Sequence, residues 1–291
     1  MGARNRASTR ELGELLRKYR QAADMTLRDL AERIGFNLTT LHRMETGYRG
    51  TTSENDVVHY MSACGASRKD ILRAVDACRE TTDYRGYWLS SHDEVVGETL
   101  RTVIFHETRA SKSVCYAPEL IPGLLQTEAY ARTQFSRVEM PEQDRSTLVE
   151  TRLARQHILF RRNPAKFTFF IHERALRMGV GDYRIMTEQL TAMRLLADQP
   201  NVRIRIVPIA ARDRGVFGGP FRLLAFAKYQ TLTHLDAPFG GWFLEDPKYV
   251  GSYLSLNRRL VDVALDVAES RALLAELADR YDRTEGHWVD P

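Results

Sequence analysis

The chain lacks an apolar run of the roughly 18 to 20 residues needed to span a bilayer, so no membrane-crossing helix is expected. Its start, MGARNRASTRELGELL, is charged and has no apolar core, which argues against an export signal. There are only three cysteines, Cys64, Cys78 and Cys115, with neither CxxC nor Cys/His spacing. That excludes a disulfide framework and a zinc-finger spacing, and suits buried or free thiols in a reducing cytoplasm. GxGxxG, P-loop and GxSxG patterns are also missing, and RGVFGGPF reads as a turn between strands. His106-Glu107 and His172-Glu173 do not extend to HExxH, since Arg109 and Ala175 stand at the fourth positions and Ala110 and Leu176 where the second histidine would stand. Surface or helix-cap roles are expected for both pairs. His234 and Asp236 share a strand face, but no nucleophile stands beside them. Trp242, Phe243, Phe217 and Phe239 read as core rather than pocket lining. The expectation is therefore no enzyme activity, no cofactor and no metal site.

What is present is an ordinary folded composition, 43% hydrophobic and 27% charged over 291 residues, a length that favours two domains. The net charge of +4 is unevenly placed. Residues 1–50 hold ten Lys and Arg against six Asp and Glu, while the rest of the chain carries 32 of each. A basic segment beside a neutral body points to a polyanion partner.

That segment reads as short helices. Thr9 to Ala23 places Leu12, Leu15, Leu16 and Tyr19 on one face. Thr26 caps a second helix, LRDLAERI, with Asp29 three residues on and Gly35 as its stop. Asn37 caps a third, in which Leu41 and Met44 point inward and Gly47 ends the run. SENDVVHYMSACG and SRKDILRAVDACRE read as fourth and fifth helices, capped by Ser53 and Ser67. Helix, tight glycine turn and helix is the helix-turn-helix arrangement. The third helix leaves Leu38, Thr39, His42 and Arg43 facing outward. Arg43 can fork to guanine O6 and N7, and Leu38 and the threonine methyls can pack on thymine methyls.

The string LGELLRKYRQAADMTLRDLAERIGFNLTTLHRMETG resembles the Cro/phage-repressor (Xre-type) helix-turn-helix family. Ala31, Gly35, Asn37, Leu41, Glu45 and Gly47 fit its pattern. The resemblance implies a third helix in the major groove, with DNA contacts from Thr26, Arg28, Asn37, Leu38, Thr39, Thr40, His42, Arg43 and Arg49. It also implies a buried ion pair between Arg20 and Glu45 that ties the first helix to the third. Two departures matter. Leu27 and Leu38 stand where the family often has glutamine, so a phosphate clamp must come from Thr26 or Arg28, and reading at Leu38 is apolar.

After an aromatic bridge near residues 82–92, helical and strand-like segments alternate. EVVGETLRTVIFHETRA reads as helix and SKSVCYAP as extended. PEQDRSTLVETRLARQHILFR reads as one long helix, and KFTFFIHERAL as strand into helix. TEQLTAMRLLAD is helical. NVRIRIVP, GGPFRLLAFA, TLTHLDA and GWFLED read as strands, followed by a helical end broken near Ser270. The fold class expected is thus a five-helix helix-turn-helix domain over 1–82 and a larger α/β (α+β) domain over 83–291.

The strings IPGLLQTEAYA, RLARQHIL, HERALRMGVG, IRIVP and GGPFRLLAF resemble the C-terminal domain of WhiJ-like, antitoxin-type actinobacterial helix-turn-helix regulators. The resemblance implies a DNA-binding regulator that acts with a small BldB-type protein, its large domain serving for sensing or docking. The expected function is a cytoplasmic, nucleoid-associated transcriptional repressor. It binds an inverted or pseudo-inverted repeat in double-stranded DNA as a homodimer held by residues beyond about 90. Two other classes stay open: a DNA-targeted enzyme with an unrecognised active site, and an adaptor that has lost DNA binding.

Overall fold

The computed structural model describes residues 6–48, 52–82, 86–91, 98–215, 217–237 and 240–283. The chain divides into two compact units. The first comprises residues 1–88 together with 228–232 and 244–246, and the second the remainder. The first unit therefore runs past the expected boundary at 82 and recruits two short segments from far along the chain.

Five helices build the first unit: α1 (Ala7–Ala22), α2 (Leu27–Ile34), α3 (Leu38–Glu45), α4 (Glu54–Ala63) and α5 (Arg68–Thr82). Leu12 and Leu16 of α1, Leu30 of α2, Leu41 and Met44 of α3, and Val57, Tyr60 and Met61 of α4 share one buried cluster. Helix α1 has no side-chain cap of its own, because Arg6 precedes it. Its first amide, on Ala7, instead donates to Glu245 Oε2 at 2.6 Å. A carboxylate at a helix N-terminus satisfies an orphan donor and opposes the helix dipole. Burial nevertheless pushes the Glu245 carboxyl upward, against the opposing effect of the Ala7 amide and of Arg10 and Arg6. Arg10 stacks over the Tyr229 ring, 4.0 Å from its centroid.

The second unit contains β1 (Tyr87–Ser91, whose first two residues belong to the first), α6 (Glu98–Glu107), β2 (Lys112–Ala117), α7 (Glu128–Ser136), α8 (Glu142–Arg155), β3 (Lys166–His172), α9 (Glu173–Arg177) and α10 (Tyr183–Leu196). It continues with β4 (Val202–Val207), β5 (Phe221–Ala225), β6 (Leu232–Ala237, whose first residue belongs to the first unit), β7 (Gly240–Leu244, whose last residue does), α11 (Pro247–Val263) and α12 (Val267–Arg283). The strands form a mixed sheet of order β1-β7-β6-β5-β2-β3-β4. β2, β3 and β4 pair in parallel, and β5 runs antiparallel to β2. Parallel neighbours require crossovers, supplied by α7 and α8 between β2 and β3 and by α9 and α10 between β3 and β4. Side chains alternate across the sheet. Cys115, Phe169, Ile171 and Ile204 enter a cluster with Tyr130, Met186, Leu190 and Leu274. Val114, Tyr116, Phe170 and Leu223 face the other way, against Leu260 of α11. The fold class expected from sequence, a five-helix N-terminal region before a larger α/β domain, is the one observed.

Several local expectations need correction. The aromatic bridge contains β1, whose five residues offered too short a pattern for strand periodicity. The long helix over 141–161 turns to 3-10 geometry at Gln156. The helical end breaks at 264–266 rather than at Ser270, where Asp266 and Glu269 exchange reciprocal capping bonds of 2.9 and 2.8 Å. Ser270 instead lies buried inside α12 and donates no break; its Oγ accepts from the Ile206 amide at 2.9 Å.

The string PGLLQT has a structural job. Its C-terminal end is pinned by Gln189, which accepts from the Thr127 amide and donates to the Leu125 carbonyl, each at 2.7 Å. Gln126 is left buried, donating to the Ile121 carbonyl at 2.7 Å and accepting from Arg152 at 2.7 Å.

Gly13 packs against backbone in the helical unit. A Cβ there would lie 2.6 Å from the Glu45 carbonyl oxygen and 2.7 Å from that of Met44. Backbone cannot yield as a flexible side chain can. Gly13→Ala should therefore destabilise the unit by about 1 to 3 kcal/mol through overpacking, despite alanine's better helix propensity. Thermal unfolding of the full chain followed by helical circular dichroism checks this; an unchanged or raised midpoint would refute it.

Candidate nucleic-acid interface

The turn between α2 and α3 is set by Gly35 and Asn37. Gly35 ends α2 in the left-handed region, φ +72°, where a Cβ is disfavoured. Asn37 then accepts the Thr40 amide on Oδ1 at 2.7 Å and starts α3. With Leu41 and Met44 buried, helical spacing turns Leu38, Thr39, His42 and Arg43 outward. All four are exposed, Leu38 by 44%. Thr40 is half-buried at the edge of this face. The Arg43 guanidinium lies 5.5 Å from the centre of the Tyr48 ring. Arg49 falls outside the described residues.

At the start of α2, Thr26 and Asp29 form a reciprocal capping box. The Thr26 hydroxyl donates to Asp29 Oδ2 at 2.7 Å and accepts the Asp29 amide at 3.2 Å. The hydroxyl bond holds the Asp29 carboxyl below the ordinary range. This commits Thr26 to capping, leaving the exposed Arg28 as the cation of α2's first turn. The side-chain oxygen of Asn37 is likewise committed to its cap.

The orientation of α3 depends on a buried fork. Arg20 donates from Nε to Glu45 Oε1 at 2.6 Å and from Nη2 to Oε2 at 2.9 Å. Its Nη1 reaches the Met25 carbonyl at 2.6 Å. The Tyr60 hydroxyl of α4 donates to the same carboxylate. Side-chain exposures are only 11% for Arg20 and 6% for Glu45. The hydrogen-bonded carboxylate holds the Arg20 guanidinium firmly protonated, while burial and then Glu45 push the Tyr60 phenol up. One anion thus joins α1, the turn before α2, α3 and α4.

The histidine pairs lie elsewhere. His172 caps α9 through Nδ1, accepting the Arg174 amide at 3.1 Å, while Glu173 binds Arg177 and the Ile209 amide. His106 and Glu107 are both 1% exposed, so the surface or cap role expected for them is wrong. α6 turns that end inward, and Glu107 meets two arginines from α8 and β5. No local pattern announces a contact between residues so far apart in sequence. His234 is buried and Asp236 exposed on β6. Phe217 and Phe243 are core, and Phe239 lies outside the described residues. The three cysteines are buried and none forms a disulfide. Among the described residues, no helix is long and apolar enough to cross a membrane.

Residues 11–75 match the family model described as a helix-turn-helix domain. That defines the class of the N-terminal unit and brackets the whole face just described. Residues 100–276, well over half the chain, match the model of a domain of unknown function (DUF5753), and the chain belongs to that family. A comparison with curated proteins finds no match.

Removing one partner of the buried fork leaves the other charge uncompensated. Glu45→Gln should cost about 3 to 5 kcal/mol, against about 0 to 1 for an exposed pair. Chemical unfolding of the full chain by circular dichroism reads this. A midpoint equal to that of the unsubstituted protein would show that the fork adds nothing to stability.

Proposed function

We propose that the protein is a DNA-binding transcriptional regulator of the WhiJ-like, antitoxin-related type, a cytoplasmic, nucleoid-associated repressor with no enzymatic activity of its own. The observation that carries this reading is the exposed Leu38, Thr39, His42 and Arg43 face on a helix-turn-helix, bordered by Arg28. In such motifs the second helix enters the major groove with its early residues against the bases. Arg43 fits bidentate guanine recognition and Leu38 fits thymine methyls. Arg28 fits phosphate contact, which positions without reading sequence.

The head is small for this task. A single module buries about 600 to 1,000 Å² on DNA and seldom reaches nanomolar affinity alone. We infer a homodimer held by residues beyond about 90, since the head's apolar residues serve its own core. A two-fold pair of heads reads an inverted or pseudo-inverted repeat at successive major grooves, about 34 Å apart. The gain comes from effective concentration. The C-terminal domain then senses a ligand or docks a small BldB-type protein, changing the spacing of the heads.

A gel-shift with DNA upstream of the protein's own gene is the primary test, and failure to bind any duplex above the non-specific level would overturn the reading. Given a bound site, Arg43→Ala should cost about 1 to 3 kcal/mol on it and relax one base position. Arg28→Ala should weaken all sequences about equally. An unchanged ratio of specific to non-specific affinity in Arg43→Ala would remove that residue from base reading.

Assembly has its own measurement. Light scattering of the full chain at tens of micromolar should give twice the 33.4 kDa chain mass. A mass of one chain would leave the inverted-repeat reading without its symmetry.

A further inference from the structure

Three arginines converge inside the second unit. Arg152 and Arg155 stand three residues apart on α8 and so share a helix face. Arg222 lies on β5 opposite Cys115, on the sheet face away from Phe221 and Leu223. Against them stands Glu107, the last residue of α6, its side chain fully buried. Its carboxylate is 2.9 Å from Arg155 Nε and 3.2 Å from Arg222 Nη1. These are ion pairs without hydrogen-bond alignment, for neither Glu107 oxygen nor Arg155 Nε has a hydrogen-bond partner. Asp236, exposed on β6, acts electrostatically on all three arginines and marks where the cluster reaches water.

The charges do not balance inside. Glu107 serves two guanidiniums, and the third is held by neutral groups. Arg152 donates from Nη1 to Gln126 Oε1 at 2.7 Å and Gln134 Oε1 at 3.0 Å, with Phe135 beneath it at 4.3 Å. Burial, then repulsion from Arg155, pushes Arg152 down to about 10. Burial likewise lowers Arg155. Arg152 and Arg222 are half-buried, whereas Arg155 between them in the charge network is buried. A self-contained structural network would pair each buried charge, because unpaired ones are costly. A receptor for an oxyanion needs the reverse: planar forks fixed by neutral acceptors, with donors left over.

We propose that this arginine cluster binds the oxyanion group, phosphate or carboxylate, of a small-molecule ligand, with Arg152, Arg155 and Arg222 as donors and Glu107 as the internal counter-ion that the ligand partly displaces. The PGLLQT turn acquires a purpose, since it presents Gln126 and thereby aims Arg152. Binding itself stands apart from DNA recognition; only its regulatory meaning rests on the sensing role proposed above.

Calorimetry and thermal unfolding of the full chain, titrated with inorganic phosphate or succinate at constant ionic strength, test the proposal. Saturable binding and a raised midpoint with at least one of them are expected, and the better probe assigns the group as phosphate or carboxylate. Arg152→Gln should weaken that binding about tenfold or more and remove the midpoint shift. Glu107→Gln, which removes the competing anion, should bind the probe more tightly than the unsubstituted protein. Should Glu107→Gln be unstable in plain buffer, rescue by the probe supports the receptor, and absence of rescue identifies a structural ion-pair network and overturns it. No response to either probe, or identical binding by all variants, also overturns it. The same samples titrated with the bound duplex separate the two readings: a probe that binds without changing DNA affinity supports the arginine site and overturns the sensing role.

Discussion

The helix-turn-helix depends on one carboxylate. Glu45 ends the eight-residue α3, too short to persist on propensity and packing of its own turns. Its position follows from Arg20 on one side and Tyr60 on the other, both spending their polar groups on the same anion. Leu41 and Met44 supply the apolar burial, but burial is non-directional. The fork adds angle: a planar guanidinium meeting a planar carboxylate admits little rotation. The outward face of α3 therefore inherits its aim from residues that never face outward.

Much of this was legible in sequence because it is local. The caps at Thr26 and Asn37, the glycine stop at Gly35 and the apolar spacing of α1 to α5 each involve residues within a few positions. Arg20 and Glu45 were legible only through a family pattern, since nothing in their 25-residue separation predicts a contact. The strands from β2 to β7 were readable for the same local reason, β4 through its period-two alternation. β1 was not, being short, and neither was the inward turn of Glu107. Its pairing with Arg155 and Arg222 joins a helix end, a helix and a strand, which only tertiary structure brings together. The competition at Thr26 is a subtler case: a residue suited both to capping and to phosphate contact is already engaged by Asp29.

The second unit divides its sheet by chemistry. Over β2, β3 and β4, the face carrying Cys115, Phe169 and Ile204 is apolar and closed by crossover helices. Over β5 and β6 the continuation of that face carries Arg222 and Asp236, and α8 answers with arginines instead of leucines. The parallel half holds the domain together and frees the antiparallel half to carry charge.

The amide of Ala7 and the carboxylate of Glu245 are 238 positions apart, yet they complete one helix terminus. During synthesis, all five helices of the helix-turn-helix unit leave the ribosome long before the residue that caps the first of them. The unit earliest in sequence is thus among the last to be finished, and its final stability is acquired only when the C-terminal chain has delivered residue 245. A nascent chain stalled halfway would display the helices with α1 uncapped, so the cell meets a fully formed DNA-binding head only together with the domain that follows it.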